Sequence, residues 1–245
     1  MSRESLHRIA VLARHNALLR RRDPAHLVSY LVMPMVLMLV FSAMLRDPAQ
    51  VVTGLLVMFS VLSMADIALA SLTERIWHTW DRVRVTRARV PELLIGKALP
   101  VFAIIAVQQA VLLGYGTLAV GLRVASPGLL ALAVLAWGFA LLGAGTAIAG
   151  VVRSHGELST LCNVSALLVS ALGGALVPIA LMPGWAREIA PISPGYWATT
   201  MLQAAVRGDV PGTLGPAAVL VGLGSIAAAF ACWRFARGWG RAAVR

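Results

Sequence analysis

Few side chains in this 245-residue chain could do chemistry, and their spacing argues against catalysis. His7, His15, His26, His78 and His155 lack the paired spacing of metal ligands, and Cys162 and Cys232 lie within apolar runs, where a small thiol packs well. No phosphate-binding glycine loop, His-Glu-x-x-His pair or Gly-x-Ser-x-Gly elbow occurs. The run Gly222-Leu-Gly224-Ser-Ile-Ala227 has the form of a dinucleotide fingerprint but lies inside an apolar stretch with no strand before it. Asp66 is the one notable acid within an apolar stretch. A carboxylate at membrane depth costs about 3 kcal/mol or more unless neutral, paired or wet, so it is a candidate for substrate or proton contact. Against that stands a plain polar contact between helices near Glu74 and Arg75. The sequence therefore predicts no catalytic residue, no metal site and no cofactor in this chain.

The elements that must position these groups are membrane spans. The composition is 59% hydrophobic and 13% charged, with mean hydropathy +0.82; soluble domains carry about 25% charged residues. A helix rises ~1.5 Å per residue, so a hydrocarbon core roughly 30 Å thick needs about 20 apolar residues. Six stretches approach that length: residues 27–45, 51–72, 98–122, 128–152, 158–182 and 214–233. The expected fold is an all-α polytopic membrane protein forming a single transmembrane domain over residues 1–245. Of the 21 Lys and Arg, six precede the first stretch, six lie between the second and third, and four follow the sixth; Arg153 shares their side. Only Arg46, Arg123, Arg187 and Arg207 face the other way, so the positive-inside bias predicts both termini in the cytoplasm. The basic residues flank span ends rather than forming a patch interleaved with aromatics. The net charge of +11 thus points to anionic membrane lipid and not to nucleic acid.

Three segments depart from plain spans. Residues 1–26 begin too polar for a cleavable signal peptide and place Leu6, Ile9, Ala10, Leu12 and Ala13 on one helical half, against Arg3, His7, Arg8 and Arg14 on the other. This is the pattern of an interfacial amphipathic helix. Residues 73–97 are too polar to cross but keep Ile76, Trp77, Trp80, Val83 and Leu93; Trp77 and Trp80 share a helical face, as in a docking element. Residues 183–211 hold apolar pieces shorter than a span, broken by Pro191 and Pro194, with Trp185, Tyr196 and Trp197 at headgroup level. The expectation is a cap of short outer re-entrant helices. Pro34 in the first stretch and Gly173, Gly174 and Pro178 in the fifth should bend or loosen their helices along a substrate path. Gly138, Ala140, Gly143, Ala144, Gly145 and Ala147 in the fourth should let backbones approach closely.

This layout resembles the membrane subunits of type-2 ATP-binding cassette exporters, including daunorubicin-resistance-like drug permeases of bacteria. Glu74-Arg75, Thr86 and Glu92-Leu93-Leu94-Ile95-Gly96-Lys97 look like that family's Glu-Arg, Thr-Pro and Glu-Leu-Leu-x-Gly-Lys sequence around its coupling helix. Arg87 stands where proline is common. Ile192-Ser193-Pro194-Gly195-Tyr196-Trp197 is similar to an outer Asn-Pro-x-Tyr motif. The resemblance implies six transmembrane helices, a cytoplasmic coupling helix and a separate ATPase subunit in two copies that binds Mg-ATP. It also implies a second permease, identical or a sibling, and residence in the bacterial cytoplasmic membrane. The implied ATPase-coupling surface comprises Glu74, Arg75, Trp77, Trp80, Arg82, Arg84, Thr86 and Glu92, with a lesser contact at Arg153 and Glu157. Trp185, Pro194, Tyr196 and Trp197 form the implied outer cap.

The fifth stretch contains no aromatic residue and so no stacking platform for a sugar chain, which favours a drug-like or lipid-like amphiphile as cargo for multidrug efflux. Two other readings share the spans. An ion-coupled secondary transporter would rest on Asp66 alone, without a visible inverted repeat. A non-transporting scaffold or sensor would not need residues 73–97 or 183–211 in their present form.

Overall fold

The computed structural model describes the backbone of residues 25–45, 47–76 and 90–236, and side chains over 30–45, 47–65, 67–69, 72 and 99–235. The described residues form helices joined by short turns, without strands. They are α1 (Ala25–Met44), α2 (Pro48–Ile76), α3 (Val90–Tyr115), α4 (Pro127–Val151), α5 (His155–Leu172), α6 (Gly184–Ile189), α7 (Pro194–Arg207) and α8 (Val210–Ala236). A π turn, Gly116–Val120, extends α3, and 3-10 turns at Ile179–Leu181 and Ala190–Ile192 flank α6.

Capping chemistry explains where several helices start. The Asp47 carboxylate accepts from Ala49 N at 3.0 Å, and Ser126 Oγ accepts from Leu129 N at 3.4 Å. Pro48, Pro127 and Pro194 occupy first-turn positions, where a missing N–H costs nothing. Gly121 and Gly208 close helix ends at φ 81 and 78, a left-handed backbone that favours glycine.

The core surrounds α2, which packs against α1, α3, α4, α5 and α7. Val52, Leu56 and Val57 of α2 are fully buried, as is Leu112 of α3. A second cluster joins Ala68 and Leu72 of α2 to Ala149 of α4, Leu158 and Cys162 of α5, and Ala231 and Phe235 of α8. It closes the end of the bundle where α2 finishes and α5 begins. Along the α4–α8 contact the backbones touch: a Cβ on Gly143 would run into the Gly224 carbonyl, and one on Gly224 would lie 3.0 Å from Ala140 Cα. The small residues of the fourth stretch therefore serve close packing, as their spacing predicts.

Among the described residues, four helices are long and apolar enough to cross a membrane: Pro48–Leu69, Leu99–Val120, Pro127–Val151 and Val210–Phe235. The apolar part of α1, Tyr30–Met44, is shorter. Residues 158–182 do not form one continuous helix. Instead α5 ends at Leu172 and the chain turns at Gly173, because Gly174 adopts φ 75 and Ala175 N donates back to Ser170 O at 3.0 Å. This is a glycine-terminated helix end. The interfacial helix expected before residue 25 lies outside the described residues.

Replacing Gly143 by Val should overpack the α4–α8 contact and cost about 1–3 kcal/mol. Thermal unfolding in mild detergent should show a lowered midpoint for Gly143→Val and none for Gly128→Ala, where an added Cβ meets nothing within 4 Å.

Candidate functional site

The break after α5 frees carbonyl groups inside the bundle, and the surrounding helices supply their donors. Thr199 Oγ1 of α7 donates to Gly173 O at 2.5 Å, and Gln50 Nε2 of α2 donates to Gly174 O at 2.6 Å. Thr199 has one hydroxyl proton, and Gly195 O at 3.0 Å is its weaker alternative. Gln203 Nε2 of α7 donates to Gln50 Oε1 at 2.8 Å, orienting the Gln50 amide. Gln50 is 7% exposed and Thr199 1%, so little solvent can substitute for these partners. Ser193 Oγ donates to Val169 O at 3.2 Å and also accepts from Gly195 N, capping α7 while tying it to α5. Two glycines permit the approach: a Cβ on Gly54 would meet the Ala175 carbonyl, and one on Gly195 would meet Val169 O. The result is a three-helix clamp of α2, α5 and α7 built on backbone carbonyls.

The segment after the break folds over the same end. Arg187 Nη2 donates to Ala180 O at 2.9 Å and Met182 O at 3.3 Å, satisfying the 3-10 turn before α6. Trp197 Nε1 donates to Pro191 O at 2.9 Å, and its ring meets Tyr196 edge-on at 5.3 Å. Pro194 starts α7, whereas Trp185 is 67% exposed. With 14 residues, α7 is about 21 Å long, too short to cross, yet Ala198, Met201, Leu202 and Ala205 are fully buried. It packs inside the bundle against α8, α4 and α2 and not merely upon it.

A second polar layer lies deeper. Ser63 Oγ of α2 donates to Gln108 Oε1 of α3 at 2.8 Å, and Gln108 Nε2 donates to Tyr30 O of α1 at 3.3 Å. Trp137 Nε1 of α4 donates to Ser60 Oγ at 2.7 Å. Gln109 is fully buried and neither amide atom finds a partner among the described residues.

The residues singled out in the sequence divide between the two ends. Gly173 and Gly174 form the break itself, with Pro178 just before the 3-10 turn. Pro34 is buried inside an uninterrupted α1. At the opposite end, Arg153 and Glu157 are exposed beside Val152 and Leu158 of the second cluster. There the Glu157 carboxylate accepts from Arg153 N at 2.7 Å while Ser154 Oγ accepts from Glu157 N at 3.2 Å. Glu157 thus has a capping role for α5 independent of any partner. Glu74 and Arg75 lie in the last turn of α2 and Glu92 in the first turn of α3, which brings them to the end where α5 starts. Their side chains, and that of Asp66 in α2, lie outside the described residues, as do Trp77, Trp80, Arg82, Arg84 and Thr86 entirely. Sequence reasoning missed Gln50, Gln108, Gln109, Thr199 and Gln203. Neutral amides inside otherwise apolar runs, as in Ala106-Val107-Gln108-Gln109-Ala110, were the available signal.

Nothing in this geometry pairs a nucleophile with a base; what it offers is mechanical, a clamp at one end joined by α2 to the other. Removing a donor from the clamp leaves a buried carbonyl unsatisfied, at about 1–3 kcal/mol. Gln50→Leu should lower the unfolding midpoint in detergent most, because it orphans both Gly174 O and Gln203 Nε2. Thr199→Val should follow, and Gln203→Leu should cost least.

No curated protein matches the chain. A family profile, described as ABC-2 type transporter, matches residues 7–206, from the segment before α1 through the end of α7. That span includes both the clamp and the end carrying Glu74, Arg75 and Arg153. With its apolar helices, this makes the chain a multi-pass membrane protein that belongs to the ABC-2 type transporter family, the transmembrane component of an ATP-binding cassette exporter that works with an ATPase partner.

Proposed function

We propose that this permease exports a hydrophobic or amphiphilic small molecule, drug-like or lipid-like, from the cytoplasm or inner leaflet of a bacterial cytoplasmic membrane. Two ATPase subunits binding Mg-ATP drive it, and a second permease, identical or a sibling, completes the pathway. In this reading α1 and α5 join the four longest helices as six crossings, with both termini cytoplasmic. The coupling surface is the segment around Trp77, Trp80, Arg82, Arg84 and Thr86, between Glu74-Arg75 and Glu92, with a lesser contact at the Arg153–Glu157 turn.

The observation that carries the reading is the reach of α2. Within its 29 residues, the stretch from Gln50 in the clamp to Glu74 and Arg75 beside the coupling segment spans about 37 Å. Closure of the ATPase pair tilts α2 at one end and strains the Gln50–Gly174 bond at the other, freeing the broken end of α5. Cargo then leaves past Gly173, Gly174 and Pro178. The uncovered face of α5 fits such a molecule: Val164, Leu167 and Leu168 are apolar, and Thr160 and Asn163 add hydrogen-bonding groups.

Purification of the tagged chain from its native membrane in mild detergent should recover a stoichiometric subunit with a Gly-x-x-x-x-Gly-Lys-Ser/Thr loop. Reversing Arg82 and Arg84 to Glu should abolish that recovery, and unchanged recovery would reject the assigned docking surface. Transport should stop with vanadate, persist with an uncoupler and survive Asp66→Asn; the opposite pattern would establish ion coupling through Asp66. Recovery of the chain alone would favour the scaffold or sensor role.

A further inference from the structure

The outer halves of α3 and α4 diverge around a groove of about 410 Å³, a volume within the ~300–1,000 Å³ of small-molecule sites. Leu113, Gly114 and Thr117 form one wall and Pro127, Leu130 and Val134 the other. The walls are apolar, and the Thr117 hydroxyl is turned inward, donating to Gly114 O at 2.7 Å. Both helices are long and apolar enough to cross a membrane, and the groove between them is apolar like the hydrocarbon it would meet. Its floor depends on Gly114, where a Cβ would meet nothing within 4 Å.

The rim is cationic. Arg123 precedes Val124, which lines the groove, in the turn between α3 and α4. Arg207 follows Val206, whose carbonyl accepts from Ala125 N in that same turn at 2.8 Å. Both arginines are exposed, and among the described residues neither guanidinium has a hydrogen-bond or ion-pair partner. The acid nearest in sequence, Asp209, is occupied by the first turn of α8, accepting from Gly212 N at 3.1 Å.

We propose that this groove seats one acyl chain of a resident bilayer phospholipid whose phosphate is held by Arg123 and Arg207. An apolar channel beneath two unengaged guanidinium groups matches a lipid tail beneath its phosphate. A second copy of the chain fits worse. A twofold contact through this face, with its axis along the membrane normal, would bring two cationic rims to the same level, and like charges so placed are repelled. The site is independent of the cargo and of the clamp.

Native mass spectrometry of the full chain, titrated in detergent with dioleoylphosphatidylglycerol or with phosphate-free dioleoylglycerol, tests the assignment. The wild type should retain one phosphatidylglycerol per chain and little dioleoylglycerol. Arg123→Ala/Arg207→Ala should weaken phosphatidylglycerol retention about 30-fold, the loss expected for two surface arginines. Gly114→Leu should abolish retention by filling the floor, with an unfolding midpoint in lipid-free detergent no lower than wild type. Equal retention of the two lipids, or unchanged retention in either variant, would overturn the proposal. So would efficient disulfide cross-linking between two copies through Thr117→Cys, which would assign the groove to a second chain.

Discussion

Within hydrocarbon, a backbone carbonyl released from its helix must find another donor, because water is not there to provide one. The arrangement at one end of this bundle follows from that constraint. Once Gly173 and Gly174 end α5 inside the bundle, Gly173 O and Gly174 O need partners, and Thr199 and Gln50 supply them. Those two bonds fix the start of α2 and the height of α7 relative to the break. Gly54 and Gly195 are then required by steric fit, since any side chain there would displace the backbone the clamp receives. A helix too short to cross is thereby held in the middle of a bundle of longer ones.

The opposite end is held by different means. There Ala68, Leu72, Ala149, Leu158, Cys162, Ala231 and Phe235 form an apolar cluster, and α5 is started by its own Ser154–Glu157 cap. Apolar contacts are non-directional and tolerate sliding, whereas a hydrogen bond to a buried carbonyl is either made or lost. The α4–α8 contact is closer still, with backbone against backbone at Gly143 and Gly224.

The length and apolar character of the longest helices were legible in the sequence, because a span is a property of some 20 consecutive residues. The glycine break was partly legible: Gly173, Gly174 and Pro178 stood out as weak points, yet they end α5 where a loosened helix was expected. The partners of that break were not legible. Gln50, Thr199 and Gln203 lie up to 153 residues apart in the chain, and only the fold brings them together. Local surroundings add to what single residues suggest. Glu157, expected beside Arg153 in a lesser coupling contact, also caps α5 together with Ser154. Pro34, expected to bend or loosen its helix, sits buried within α1.

The kind of polarity buried in this bundle bears on its energy source. Among the described residues every buried polar side chain is a glutamine, serine or threonine: Gln50, Thr53, Ser60, Ser63, Gln108, Gln109, Ser170, Ser193, Thr199 and Thr213. None of these changes charge with pH, so none can take up a proton on one side of a membrane and release it on the other. What neutral amides and hydroxyls can do is exchange partners at small cost, since one hydrogen bond replaces another without creating or burying charge. Gln109, with neither amide atom engaged, and Ser170, with its hydroxyl unengaged, are buried polar groups without a hydrogen-bond partner among the described residues. Such partner exchange suits a core moved by mechanical input, while Asp66, whose side chain lies outside the described residues, is the acid an ion-coupled mechanism would need.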